Sequence, residues 1–406
     1  MHLIDKYLKK FISKNDYILF QDKLTSANNS LINSTCKGNE MLGWMRLDTD
    51  IKKIEQISEK IKSEAEIVFV VGIGGSYTGA KMAIDFLKPF SENKIYFLGN
   101  NIDAENTLDI FEKCKDKSVH VVIVSKSGST LEIRATLAVV IEFMYKKYED
   151  RANKRFTAVT GSTGLLNEIA KKNSWNILKI SEDVGGRFSV LTNAGLLPIS
   201  IAGANIKKIV DGAIQAKYEF METNNICHRY STIRNILYSK GFKVELISSF
   251  STRLDGMLAW LKQLFGESEG KENKGIFPSS AMFSSDLHSI GQFIQEGSKI
   301  LFETILFSEN FPKDIKISSN HNDELLRNKS FNEINLKILE GSSLAHYEGG
   351  VPCLILKFKE FKEFELGKLI FFFEKSCALS ALILGVNPFN QPGVEAYKKN
   401  TIKLLG

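Results

Sequence analysis

The sequence has no local metal-binding spacing. Its five cysteines, Cys36, Cys114, Cys227, Cys353 and Cys377, are scattered with no CxxC pair, which argues against zinc ribbons and dithiol redox motifs. An odd, dispersed set fits reduced thiols buried as small apolar residues, so a cytoplasmic setting is expected. The six histidines form no HxH or HExxH pair, and no metal or other cofactor is expected from local spacing. No cluster of five or more Lys/Arg occurs, and a net charge of +6 over 406 residues is modest. No nucleic-acid partner is therefore expected. The N-terminus lacks the apolar core and small-residue cleavage site of a signal peptide. The longest helical apolar stretch, residues 369–386, is broken by Glu374-Lys375 and is too short and charged to span a bilayer.

What is present suits a globular chain. With 43% apolar and 25% charged residues over 406 positions, two or three domains with ample core are predicted. Residues 69–82 read FVVGIGGSYTGAKM: a buried strand, a glycine turn and a helix start. Glycines let a ligand approach the backbone, and free N–H groups at a helix start favour an anion. A dinucleotide fingerprint needs glycine where Tyr77 stands, and a P-loop needs Gly-Lys-Ser/Thr where Gly79-Ala80-Lys81 stand. Both nucleotide motifs fail at defining positions.

Further strands are predicted at 95–98, 119–125, 156–160 and 176–180, each alternating with helical patterns. In the second half, strands are predicted at 243–249, 315–318 and 354–358, with helices at 254–265, 289–307 and 367–384. Alternation of this kind implies α/β architecture with parallel sheets covered on both faces. No glycine- or proline-rich linker separates the halves, so two closely packed α/β domains with the site between them are expected.

Several stretches carry chemistry. Ser125-Lys126-Ser127-Gly128-Ser129-Thr130 places four hydroxyls between a strand end and a helix start, where parallel sheets bind ligands. That set matches a phosphomonoester better than a plain Ser129/Glu132 capping box, which uses one hydroxyl. Gly185-Gly186-Arg187 can aim a guanidinium at developing negative charge. In Gly266-Glu267-Ser268-Glu269-Gly270-Lys271, read as a glycine-bounded loop, either glutamate is a candidate general base. His288 precedes a helix among polar residues, as a proton shuttle or a cap. Residues 387–398, NPFNQPGVEAYK, form a rigid proline-glycine turn flanked by Gln391 and Lys398.

Taken together, GIGGS at 72–76, SKSGST at 125–130, GGRFS at 185–189, GESEGK at 266–271, DLHSIGQFIQEG at 286–297 and NPFNQPGVEAYK at 387–398 resemble the phosphoglucose isomerase family, in its bacterial form. The resemblance covers roughly residues 45–406. It implies two sugar-isomerase-type α/β/α sandwich domains at 46–200 and 241–386. An N-terminal helical segment at 1–45, connecting helices at 201–240 and a substrate loop with C-terminal helix at 387–406 complete the expected layout.

It also implies reversible isomerisation of glucose 6-phosphate and fructose 6-phosphate, in glycolysis and gluconeogenesis, without a metal. Ser125, Ser127 and Thr130 would hold the phosphate, with Lys126 and Ser129 nearby. Gly75 and Ser76 would line the sugar, and Gln391 would contact it. Glu267, rather than Glu269, would be the base. Arg187 would stabilise an enediolate, and Lys398 would act at the ring oxygen. His288 would assist ring opening in the partner subunit's site, which implies a homodimer. Many bacterial members have Thr-Thr-Thr-Glu-Pro where this chain has Ser129-Leu131-Ile133 in the corresponding run. The alternatives are a non-catalytic sugar-phosphate sensor and another sugar-phosphate aldose-ketose isomerase. The sensor would need the 125–130 loop without Glu267, His288 and Lys398 together. A related aminosugar enzyme would lack the FNQPGVE stretch.

Overall fold

The structure is a computed structural model that describes residues 1–88, 94–222 and 224–406. The strands are β1 (His2–Ile4), β2 (Ile67–Val71), β3 (Lys94–Leu98), β4 (Val119–Val124), β5 (Phe156–Thr160), β6 (Asn176–Lys179), β7 (Val244–Ser249), β8 (Phe277–Met282), β9 (Leu301–Asn310) and β10 (Cys353–Glu360). They form two five-stranded sheets, and the chain divides into two compact units.

The first unit, Glu40–Ile214, carries the sheet β3-β2-β4-β5-β6, parallel throughout. Its central strands are buried at every position, the pattern of a sheet covered on both faces. On one face Phe69, Val71, Val121 and Ile123 pack with Ile133, Leu137 and Met144 of the helix Leu131–Tyr148. On the other, Val68, Val70, Val122 and Val124 are fully buried. Each such side chain contributes about 1.5–3 kcal/mol by leaving water.

The second unit joins Met1–Asn39 to Gln215–Gly406. Its sheet runs β1-β10-β9-β7-β8, with only β1 antiparallel. Here the sequence expectations need correction. The helix predicted over 289–307 is a short helix, Gly291–Glu296, followed by β9 at the sheet centre. Glu303 and Thr304 interrupt the apolar pattern of β9, yet both are buried with polar partners, so the run is a strand after all. The strand predicted at 315–318 reduces to a single bridge, Lys316 to Ser330, and Ile315 is exposed. Strands β1 and β8 were not expected. Each lies at a sheet edge, where the proline of β8, Pro278, is tolerated.

Candidate active site

In the first unit, β3 lies on one side of β2 and β4 on the other. The strand order therefore reverses between β2 and β4, and a parallel sheet opens its ligand crevice at such a point. The loops leaving these two neighbours are the glycine turn 72–76 and the hydroxyl loop 125–130. Gly74 has φ +54°, and one 3-10 turn spans Gly74–Ser76. A Cβ on Gly75 would sit 2.1 Å from the Gly186 carbonyl carbon and oxygen. The two diglycine turns thus meet backbone to backbone, which places the Arg187 turn beside Gly75. Arg187 is buried, its guanidinium carbon 5.6 Å from the centre of the Phe188 ring.

The hydroxyl loop is internally braced. Gly128 N–H donates to Ser125 Oγ at 3.0 Å, with Gly128 at φ +74°. Ser127 Oγ and Ser129 Oγ lie 2.7 Å apart, and Ser129 N–H donates to Ser127 Oγ at 3.2 Å. Lys126 Nζ donates to the Glu182 carbonyl at 2.5 Å and lies 3.5 Å from its carboxylate. The Ser129/Glu132 capping box does not form. Thr130 is the N-cap of Leu131–Tyr148, and it makes no side-chain cap hydrogen bond. The helix start keeps its positive end turned toward the loop, next to a lysine, which suits a dianion.

The second unit holds the carboxylate, histidine and C-terminal motifs. The helix Asp255–Glu269 runs through GESE, so the stretch read as a loop is helical up to Gly270. Two residues along a helix turn a side chain by about 200°, so Glu267 and Glu269 face different surroundings. Glu269 is fully buried and is bound by the Arg234 guanidinium, with Nη2 to Oε2 at 3.2 Å. Arg234 also donates to Glu245 at 2.8 Å and Ser380 Oγ at 2.8 Å. Burial disfavours the Arg234 charge, but Glu245 and Glu269 outweigh it and hold the pKa well above its usual value. Glu267 is half-buried and accepts from Gln263 Nε2 at 2.9 Å, one turn earlier. Geometry therefore separates two glutamates that the residues alone left open. Glu269 is the fully buried ion-pair partner of Arg234, and Glu267 is half-buried on another side of the helix.

Lys271 ties this helix end to the proline-glycine turn. Its Nζ donates to the Ser268 carbonyl at 2.7 Å and the Asn387 carbonyl at 2.6 Å. The Asn387 side chain in turn accepts from Phe389 N–H at 2.9 Å. A cavity of about 440 Å³ opens here, lined by Gly270, Lys271, Asn387, Asn390 and Pro392 among others. Gln391 is exposed just before the turn Pro392–Val394. Lys398 follows on the helix Glu395–Leu405 and pairs with Glu395 at 2.8 Å. His288 ends the 3-10 turn Ser285–His288 and is exposed, and Ser284, the N-cap of that turn, makes no side-chain cap hydrogen bond. Asp286 braces that turn by accepting from Met282 N–H at 2.7 Å.

A model of the family described as phosphoglucose isomerase matches residues 33–404. A glucose-6-phosphate isomerase of Clostridioides difficile is 41% identical, the match covering 98% of this chain and 94% of that protein. One from Staphylococcus epidermidis is 42% identical over the same shares. The chain belongs to the phosphoglucose isomerase family. It is accordingly an isomerase. Among solved structures, a hypothetical protein from Thermus thermophilus superposes with TM-score 0.91 at 25% identity, covering 100% of this chain and 99% of that one. A glucose-6-phosphate isomerase from Chlamydia trachomatis shares the fold, with TM-score 0.78 at 21% identity over 87% of this chain and 72% of that one. No helix among the described residues is long and apolar enough to cross a membrane.

Two residues that support the site of this family member escape sequence reasoning. Asp183, two positions before Gly185, accepts from Arg46 at 3.2 Å through Nη2 and from its Nη1 as well. Its backbone carbonyl accepts from Gly43 N–H at 3.0 Å. The Arg46 hydrogen bonds hold the Asp183 carboxyl at a pKa of about 2. This clamp fixes the start of the turn carrying Arg187. Its partners stand 137 positions apart, and no spacing rule reaches that far.

Proposed function

We propose that the chain interconverts glucose 6-phosphate and fructose 6-phosphate through a cis-enediol(ate), with Glu267 as the base. The carrying observation is the end of the helix Asp255–Glu269, where Arg234 engages Glu269 and leaves Glu267 at the surface of the core. The near-full-length likeness to proteins named glucose-6-phosphate isomerase supports the substrate pair.

The phosphate is bound by Ser125, Ser127, Thr130 and the adjoining helix start, with Lys126 and Ser129 beside them. Anchoring one end of the sugar uses remote binding energy to orient the reacting carbons. Gly75 and Ser76 line the sugar, where a side chain at position 75 has no room. Ring opening breaks the C1–O5 bond. Lys398, with His288 of the partner subunit, delivers a proton to O5 as the C1 hydroxyl loses one. Glu267 then removes the C2 proton, and electrons move into the C1–C2 bond to give the enediolate. Arg187 stabilises that charge without exchanging a proton. A proton then passes from O2 to O1, and return of the abstracted proton from Glu267 to C1 as the C2 carbonyl forms gives the ketose. One carboxylate serves both carbons because they are adjacent. Gln391 contacts the sugar. The working unit is a homodimer in the cytoplasm.

A coupled assay with purified chain tests the reading: fructose 6-phosphate should appear as glucose 6-phosphate, read by a dehydrogenase. Tight sugar-phosphate binding with no turnover would instead establish a sensor.

A further inference from the structure

A polar centre outside the proposed active-site residues lies in the core of the second unit. Glu303 on β9 and Cys353 on β10 stand opposite each other in the parallel register. His346 lies in the last turn of the helix Phe331–Glu348, and its carbonyl accepts from Val351 N–H at 2.8 Å as the chain turns into β10. All three side chains are buried. His346 Nδ1 is 2.8 Å from Glu303 Oε2, and Cys353 Sγ donates to the same oxygen at 3.1 Å. One nitrogen, one oxygen and one sulfur thus converge within 4.8 Å of one another. The second carboxylate oxygen, Glu303 Oε1, is buried with no hydrogen-bond partner. Ser343 Oγ, one turn before His346 on the same helix, is also buried without one. A buried polar atom left unmet costs about 1–3 kcal/mol, so an orphaned oxygen on Glu303 itself, with a second on the helix that carries His346, marks a place built for something more.

We propose that Glu303, His346 and Cys353 bind a zinc ion, with Glu303 chelating through both oxygens. Sulfur, imidazole nitrogen and carboxylate together are a donor set for zinc, whereas calcium and magnesium take oxygen alone. A carboxylate, a thiolate and a neutral imidazole sum to −2, which a divalent cation cancels, as a buried site requires. Zinc bonds of about 2.0–2.3 Å set donor atoms of different residues roughly 3.3–3.7 Å apart, with the two Glu303 oxygens sharing one side of the ion. The present spacings of 2.8 and 3.1 Å therefore open by about 0.5 Å, and the His346-to-Cys353 spacing, within 4.8 Å, settles into the same range by side-chain rotation. On binding, the zinc–sulfur bond replaces the S–H bond and that proton leaves to solvent. The ion would staple a helix end to two central strands, a structural role with no step in the isomerisation.

The test uses the full chain without a histidine tag, expressed in zinc-supplemented medium under reductant and freed of loose metal. Elemental analysis should find about one zinc per chain, and the X-ray absorption edge should show one sulfur at about 2.3 Å. Cys353→Ser, nearly isosteric, should retain at least tenfold less zinc. Wild-type chain with less than about 0.1 equivalent, zinc lacking a sulfur neighbour, or wild-type zinc content in Cys353→Ser each overturns the site. The sulfur shell of the wild type decides the matter even where the variant does not fold.

Discussion

Exchanging the fates of Glu267 and Glu269 gives the sharpest mutational test. Glu269 is fully buried against Arg234. Removing one partner of a buried ion pair costs about 3–5 kcal/mol, because the other charge is left without its match. Arg234 retains Glu245 at 2.8 Å, so Glu269→Ala belongs at the lower end, about 3 kcal/mol. With a urea m value of about 3 kcal/mol/M for a unit of this size, the unfolding midpoint falls by about 1 M. Glu267→Gln keeps the shape and the Gln263 contact, so stability changes by less than about 0.5 kcal/mol. Loss of a positioned general base instead lowers kcat by about 10²–10⁴-fold, with KM nearly unchanged. Urea titration and the coupled assay, run on both variants, should therefore show opposite profiles. A stable, inactive Glu269→Ala beside an active Glu267→Gln would refute the assignment.

Three other outcomes are expected. Gly75→Ala drives a methyl into the Gly186 backbone, which has nowhere to yield. A cost near 3 kcal/mol and loss of turnover should follow, and a wild-type melting temperature would contradict the backbone contact. Ser127→Ala removes a hydroxyl proposed to donate to a charged phosphate, so KM should rise by about 10–100-fold while kcat holds; an unchanged KM would remove Ser127 from the phosphate site. His120 is buried against Thr157, and burial, with Arg155 and Lys60 adding, holds its pKa at about 3. The unfolded chain binds this proton near pH 6.5 and the folded one does not, so stability is complete above that pH and falls on acidification toward about 3. The denaturation free energy should decline by about 1.4 kcal/mol per pH unit from this residue below pH 6, a slope that His120→Gln should flatten.

The first unit was largely legible because its strands are continuous apolar runs. IVFVV and VHVVIV announce central parallel strands with no tertiary knowledge. The second unit was harder for a definite reason: its sheet buries charge. Glu245 and Glu303 sit inside β7 and β9, matched by Tyr230, Arg234, Thr304 and His346. Those partners come from up to 59 positions away, so β9 lost its strand signal and the end of the helix Asp255–Glu269 looked like a polar loop. The motif loops at 72–76 and 125–130 were readable as turns leaving neighbouring parallel strands. What spacing could not show was the Arg46–Asp183 clamp, the Arg234–Glu269 pair that sets Glu269 apart from Glu267, and the convergence of Glu303, His346 and Cys353.

Isotope transfer tests the single-carboxylate mechanism most directly. With glucose 6-phosphate turned over in D2O, the proposed base Glu267 should hold the abstracted proton long enough to exchange part of it with solvent. NMR should then find partial deuterium at C1 of the fructose 6-phosphate formed, and product forming at least about 100-fold more slowly with Glu267→Gln. Wild-type product fully deuterated at C1 from the earliest turnovers, or product formed at an undiminished rate by Glu267→Gln, would contradict a proton relayed between neighbouring carbons by that side chain.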